Sequence, residues 1–507
     1  MKFYRATVAI ALAATLALGG CAASPAGPDA AVGENATLTL ANPLEPVSFD
    51  PAQALDGDPV QYFQAVYDSL IRRLPNGEYA PMLATAWSYN ADNTVLSLEL
   101  RDDVTFTDGV PFDAEAVKAN LEHFKTAGGM LTSWLNRMVS ADVTGEHSID
   151  IVLSEPEPAL ITYLSLAAGL MGSPDAIGTD DIKTMPVGTG PYTLDADATS
   201  IGSQYTFVKN EDYWNPEIQY YDRIVIKPMA DATARVNALV SGQIDATRLE
   251  PKQMSQVEAA GLVPHLQELD WYGFTIFDRS GELVPALADP RVRQAINLAV
   301  DKEKILETIF LDTGTPTSQI FGPGSSGYVE ALEDAYTYDP EKAKELIEES
   351  GFADITIELP VLTTSDPALT AVVVEQLAAV GITLAIKEIP PADLASEILP
   401  GKYPMFMWSM GQSTTWLMIR NYIAEDATLN LRHSADPVIA DLVAQIQSAD
   451  ESEAEATAKE LNEYLVEQAW FAPWFRVEIP YYSNADVEVT LQADQAIPYI
   501  WNYKPKQ

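Results

Sequence analysis

Cysteine is all but missing from this chain: Cys21 is the single one in 507 residues, which excludes a disulfide framework and any cysteine-based metal site. Cations are scarce as well. Only 30 Lys and Arg stand against 73 Asp and Glu, a formal charge of −43, and no basic cluster is present to hold phosphates, so nucleic acid is excluded as a partner. The four histidines, His123, His147, His265 and His433, are isolated and form no H-E-x-x-H pair, so a zinc hydrolase lacks its ligands. Each is expected at the surface or satisfied by a neighbour. There is no Ser-x-x-Lys and no Gly-x-Ser-x-Gly, which removes two nucleophile patterns. The glycine turn at Gly188 lacks the Lys-Ser/Thr pair of a phosphate-binding loop, and Gly322 to Gly327 reads as a flexible loop. Carboxylate pairs of the glycosidase kind stay open, because so many acids make accidental pairs certain.

What is present is a 47% hydrophobic chain, long enough for two or three domains. The acidity reads as a soluble, salt-tolerant surface rather than as charge aimed at a cationic ligand, and Glu451 to Glu460 as a solvated helix face. At the amino terminus, Lys2 and Arg5 precede an apolar run from Ala6 to Leu18, shorter than the roughly 20 residues that span a bilayer. Leu18-Gly19-Gly20-Cys21 follows and resembles a bacterial lipoprotein signal, with residues 1–20 removed and Cys21 lipidated. The alternative is an ordinary secretory signal with an incidental cysteine. Residues 21–36, rich in Ala, Gly, Pro and Ser, bury no face and read as a flexible tether.

Folded sequence is predicted from Thr37-Leu38-Thr39-Leu40, an alternating strand, followed by a helix from Pro59 through Ile71. Val95 to Leu100 alternates as a strand, and Asp108-Gly109 is a hairpin turn. Asp113 caps a helix with Val117, Leu121 and Phe124 on one face. Pro186-Val187-Gly188-Thr189-Gly190-Pro191-Tyr192 predicts a turn that leaves extended, its glycines adopting angles closed to other residues. Tyr205 and Phe207, then Ile224 and Ile226, read as sheet around a polar turn from Asn210 to Asp222. A helix capped by Asp231 follows, with Val236, Leu239 and Val240 as its stripe and Gly242 as its end. Four more helices start at Asp289-Pro290, Asp339-Pro340, Asp366-Pro367 and Asp436-Pro437, each with a capping carboxylate before a first-turn proline.

Three ordered motifs carry a resemblance: Pro186 to Tyr192, Asn210-Glu211-Asp212-Tyr213-Trp214, and Ser241-Gly242-Gln243-Ile244-Asp245. Together with Phe49-Asp50-Pro51-Ala52, Leu100 to Gly109 and Arg291 to Asp301, they resemble the extracytoplasmic solute-binding proteins of ABC importers, family 5, the peptide/nickel class. The resemblance runs over nearly all of the chain after residue 36. It implies an α/β fold of the type II periplasmic-binding-protein kind, two lobes with a hinge and an extra subdomain in the first. Lobe I is then 37–60, 178–268 and 483–507, the extra subdomain 61–177, and lobe II 269–482. Strands near Leu269 to Phe277 and near Trp474 to Tyr482 cross between lobes.

The implied function is a lipid-anchored receptor on the extracytoplasmic face of the cell membrane, a monomer that captures a peptide or related small solute and hands it to ABC permease subunits. No cofactor, metal or catalysis is required. A lipoprotein hydrolase and a receptor feeding a sensor are the alternatives. The ligand site is expected at Trp271, Tyr272, Trp408, Gln412, Ser413, Trp416 and Trp474, which lie where the resemblance places the cleft. Peptide-binding members carry an aspartate that pairs with the ligand's α-ammonium, yet Met407 to Trp416 contains no acid. A ligand with an uncharged end is therefore expected, unless another acid such as Asp426 or Asp50 substitutes.

Overall fold

The computed structural model describes residues 36–390, 393–449 and 451–506; the expected signal peptide, Cys21 and the tether up to residue 35 lie outside them. A nine-stranded mixed sheet runs through the described residues. Its first part is built on Thr37–Asn42, which pairs parallel with Arg223–Pro228 on one side and Ala246–Arg248 on the other. Tyr205–Lys209 and Tyr192–Leu194 extend that edge, with Ile224 opposite Phe207 and Ile226 opposite Tyr205. All four of these side chains are buried, as their alternation requires.

The other part depends on two long strands, Val263–Ile276 and Ala472–Ser483, which pair antiparallel from Val263 opposite Ser483 to Phe274 opposite Ala472. They begin or end a few residues outside the crossings expected from sequence. Ala246–Arg248 joins at the Ser483 end, and Met405–Gly411 pairs along the far half of Val263–Ile276. One ladder thus carries both halves of the molecule. Register shifts at Glu268/Asp270 and at Tyr272/Gly273 interrupt it midway, and such bulges bend a strand. A separate antiparallel sheet, in the order Ala84–Tyr89, Val95–Leu100, Ser148–Leu153, Met138–Gly145, lies within residues 84–153. Beyond the ladder, the helices Pro290–Ala299, Pro340–Ser350 and Pro367–Ala379 bury Val292, Ala295, Ile296, Ala343, Val373 and Leu377 in a second core.

Helix starts follow the sequence closely. Asp113, Asp231, Asp289, Asp339, Asp366 and Asp436 each accept a hydrogen bond from a first-turn amide, which satisfies a donor the helix leaves open. Four expectations need correcting. The helix expected over Pro59 to Ile71 spans Val60–Val66 and gives way to extended chain at Tyr67. Val240 is 46% exposed, so the stripe of Ala232–Val240 rests on Val236 and Leu239. Gly188 and Gly190 are absent from the positive-φ glycines. They are small for a different reason: a Cβ would lie 2.2 Å from the Val66 carbonyl oxygen at Gly188 and 2.4 Å from the Val66 carbonyl carbon at Gly190.

The stretch Asn210 to Asp222 is the fourth correction, because Tyr213, Ile218 and Tyr221 within it are buried. Tyr213 is drawn in by Asp68, which has no exposed surface. Its carboxylate accepts from Tyr213 Oη at 2.8 Å, Trp214 Nε1 at 2.8 Å and Thr189 Oγ1 at 3.1 Å. Burial raises the Asp68 carboxyl to about 6 against the lowering pull of these three donors. Between pH of about 4 and 6 the native state therefore keeps a proton that the unfolded chain releases, and stability falls as pH rises through that window. We expect the stability gap between the parent and Asp68→Asn to narrow by up to about 3 kcal/mol from pH 4 to pH 6, measured by urea unfolding. A gap independent of pH would show that Asp68 is ionised throughout.

Candidate functional site

Strand geometry builds one wall of a large cavity. In Ala84–Tyr89 successive side chains alternate, so Trp87 and Tyr89 share a face, and Tyr79 of the strand Tyr79–Pro81 adds a third ring. Ser148–Leu153 then leads into Ser154-Glu155-Pro156-Glu157-Pro158. Prolines on both sides fix the backbone around Glu157, and its side chain is buried. Arg137 holds the two acids together, Nε 3.0 Å from Glu155 and Nη1 2.9 Å from Glu157.

The opposite wall comes from the second half of the chain. Trp416 stands in the short helix Thr415–Met418. Beside it the Thr415 hydroxyl lies 2.8 Å from Ser325 Oγ and 2.7 Å from Ser326 Oγ, and accepts from the Gly327 amide at 2.9 Å. Gly322 to Gly327, read from sequence as a flexible loop, is therefore pinned to the tryptophan's own turn. Gln447, near the end of Pro437–Ser448, completes this side.

Two hydrogen bonds join the walls. Trp416 Nε1 donates to Glu157 Oε1 at 2.6 Å, and Gln447 Nε2 donates to the Pro156 carbonyl at 2.8 Å. The cavity between them measures about 900 Å3, within the ~300–1,000 Å3 usual for small-molecule sites. On the other side of Trp416 lies a smaller space of about 300 Å3 reaching Arg420 and Asp426. A hollow of about 630 Å3 beside Ala232–Val240 has no aromatic lining. Among the described residues no group of three or more His, Cys, Asp or Glu is placed to hold a metal ion, and no helix is long and apolar enough to cross a membrane.

Of the seven residues expected to bind ligand, Trp416 alone lines the large cavity. Trp271 is fully buried and packs edge-on to Phe471 at 5.9 Å. Its neighbour Tyr272 points to the opposite face of the ladder, stacked on Phe475 at 5.8 Å, and Trp474 meets Phe274 edge-on at 5.0 Å in the second core. Trp408 donates to Thr275 Oγ1 at 2.8 Å and packs on Phe406 and Phe277. Gln412 donates to the Ile320 carbonyl at 2.9 Å and is buried, while Ser413 is half-buried just before the cavity residue Thr414. The substitute acids are engaged elsewhere. Asp50 sits 2.9 Å and 3.0 Å from His123 Nε2, and Asp426 is held by Arg420 at 2.8 Å and 3.0 Å.

Glu157, Arg137, Trp87, Tyr89 and Gln447 were missed from sequence. Two signals for them were there to be read: an acid fixed between two prolines just after a strand, and two aromatics one residue apart in a strand. Arg137 is the only cation bonded to Glu157 among the described residues. We expect Arg137→Met to cost roughly 2–3 kcal/mol in urea unfolding, somewhat less than a fully buried pair because Arg137 keeps some solvent. Adding Glu157→Gln should recover most of that loss. Strict additivity of the two changes would show that the pair is not coupled.

Comparison with known proteins fits this architecture. Residues 78–420 match the family described as bacterial extracellular solute-binding proteins, family 5, middle. The glutathione-binding protein GsiB of Escherichia coli is 26% identical over 404 residues, covering 76% of this chain and 74% of its own. Among solved structures, HbpA2 from Haemophilus parasuis superposes with a TM-score of 0.82 at 19% identity, over 93% of this chain and 100% of its own. NikA from Brucella suis in complex with Fe(III)-EDTA gives 0.78 at 24%, again over 93% and 100%. The chain therefore belongs to the bacterial extracellular solute-binding proteins, family 5, the substrate-binding components of ABC importers rather than enzymes.

Proposed function

We propose that the solute is held in the 900 Å3 cavity between the Trp87 wall and the Trp416 wall, and that the two walls belong to separate lobes that close over it. The observation that carries this reading is the cavity's lining, drawn from residues 79–162 on one side and 324–455 on the other. The lobe limits read from sequence are kept: 37–60, 178–268 and 483–507 for lobe I, 61–177 for its extra subdomain, and 269–482 for lobe II. The bulged middle of the Val263–Ile276/Ala472–Ser483 ladder serves as the hinge, where interrupted pairing lets the strands bend. Closure selects the solute because the closed state gains contacts from both walls. The protein then delivers the captured small solute to its permease, acting as a monomer.

Small-angle scattering tests the closure. Protein stripped of solute by partial unfolding and dialysis should have a larger radius of gyration than the same protein reloaded with its co-purified solute. Identical curves would count against a hinge.

We also propose that Cys21 carries the lipid that keeps this receptor at the membrane, on the support of the Leu18-Gly19-Gly20-Cys21 run. One acyl chain anchors only marginally and two hold stably. Cys21→Ala should move the protein to the soluble fraction or leave its precursor unprocessed. A processed, membrane-bound variant would rule the anchor out.

A further inference from the structure

The charges around the large cavity are one-sided and already engaged. Among the described residues no lysine or arginine lines it, and of the carboxylates that do, buried Glu157 is paired with Arg137 at 2.9 Å and Glu455, half-exposed, with Lys459 at 2.6 Å. An anionic group entering here finds no cation. An ammonium finds carboxylates that have their partners.

Tyr79, Tyr89 and Trp416 are engaged at their polar ends in the same way. Tyr79 Oη is 2.6 Å from Thr162 Oγ1, Tyr89 Oη donates to the Glu157 carbonyl at 3.2 Å, and Trp416 Nε1 donates to Glu157 Oε1. Burial also pushes the Tyr89 phenol up, so it stays neutral. What these rings offer a solute is carbon surface. Beside them are uncharged polar groups. Thr414 makes no side-chain capping bond to the helix it precedes, and Gln447, donating its amide nitrogen to Pro156, keeps its carbonyl oxygen to accept.

Rings that stack and neutral groups that donate and accept suit a solute with flat apolar faces and hydroxyl edges. Resting on the reading that this cavity is the solute site, we propose that the solute is an uncharged, hydroxyl-rich ring compound, a short oligosaccharide, and not a free zwitterionic peptide. Trp87 and Trp416 stack against its rings from opposite walls, and Thr414 and Gln447 bond its hydroxyls. The missing acid in Met407 to Trp416 fits the same chemistry, since such a solute has no ammonium to clamp.

Titration calorimetry on the stripped full-length protein, with maltotriose, cellotriose, xylotriose, trialanine and N-acetyl-trialanine amide as probes, decides it. At least one trisaccharide should bind, trialanine should not, and Trp87→Ala should weaken the trisaccharide by about tenfold or more while Trp87→Phe restores most of the loss. Thr414→Val, a gentler change, should weaken it without altering the thermal melt. Failure of all three trisaccharides, or tighter binding of trialanine, overturns the assignment of solute class. If trialanine binds and Trp87→Ala weakens it, the class falls while the site stands. If any probe binds unaffected by Trp87→Ala, Trp416→Ala and Thr414→Val alike, the site itself falls and the class with it.

Discussion

A carboxylate with no access to water must be met by donors from elsewhere in the chain, and Asp68 is met by Thr189, Tyr213 and Trp214. Those donors lie in two motifs separated from it by more than a hundred residues. Around the same point, the Val66 carbonyl accepts from the Gly190 amide, and Thr107 of the Asp108-Gly109 hairpin donates its amide to the Gly188 carbonyl. Tyr67 Oη reaches back to the Phe49 carbonyl at 2.8 Å. Three segments distant in sequence, at Phe49, at Thr189-Gly190 and at Tyr213-Trp214, are thus tied to one short run, Val66 to Asp68, and the Asp108-Gly109 hairpin joins them through Gly188. The motifs that identify the family hold a buried knot together here and do not line the large cavity.

From that knot the chain reaches the cavity by two routes. One passes through the separate antiparallel sheet, whose alternation sets Trp87 and Tyr89 side by side. The other passes along the long ladder, which ends beyond its bulges in Met405–Gly411 and the turn bearing Trp416. Glu157 joins the two routes, bonded to Arg137 on its own wall and to Trp416 on the other. A buried acid with partners on both sides specifies how the walls face each other more than it adds net stability, because desolvation offsets much of the attraction.

The distribution of charge follows the same division between surface and site. The excess of acids lies largely on exposed faces such as Glu453, Glu455 and Glu460 of Glu451–Glu467, where it favours solubility. Inside, charges are matched or replaced by neutral bonds. Arg293, for instance, is buried with its guanidinium donating to the carbonyls of Leu287, Ala288, Gln468 and Ala469.

Much of the fold was determined by the sequence alone, because its signals act within a few residues. A capping aspartate, a first-turn proline, a terminal glycine and a strand's alternation each act on their own turn, so six helix starts and the strands at Thr37 and Val95 were legible. The roles of side chains acting at long range were not. Gly188 and Gly190 looked like turn glycines but are small to admit the Val66 backbone. Tryptophans in the second half looked like a binding cluster, yet Trp474 falls in one core and Trp271 and Trp416 in another, and of the three only Trp416 reaches the large cavity. A tryptophan's composition and spacing are the same whether its ring meets a core or a cavity. Only the packing of distant segments decides which it meets.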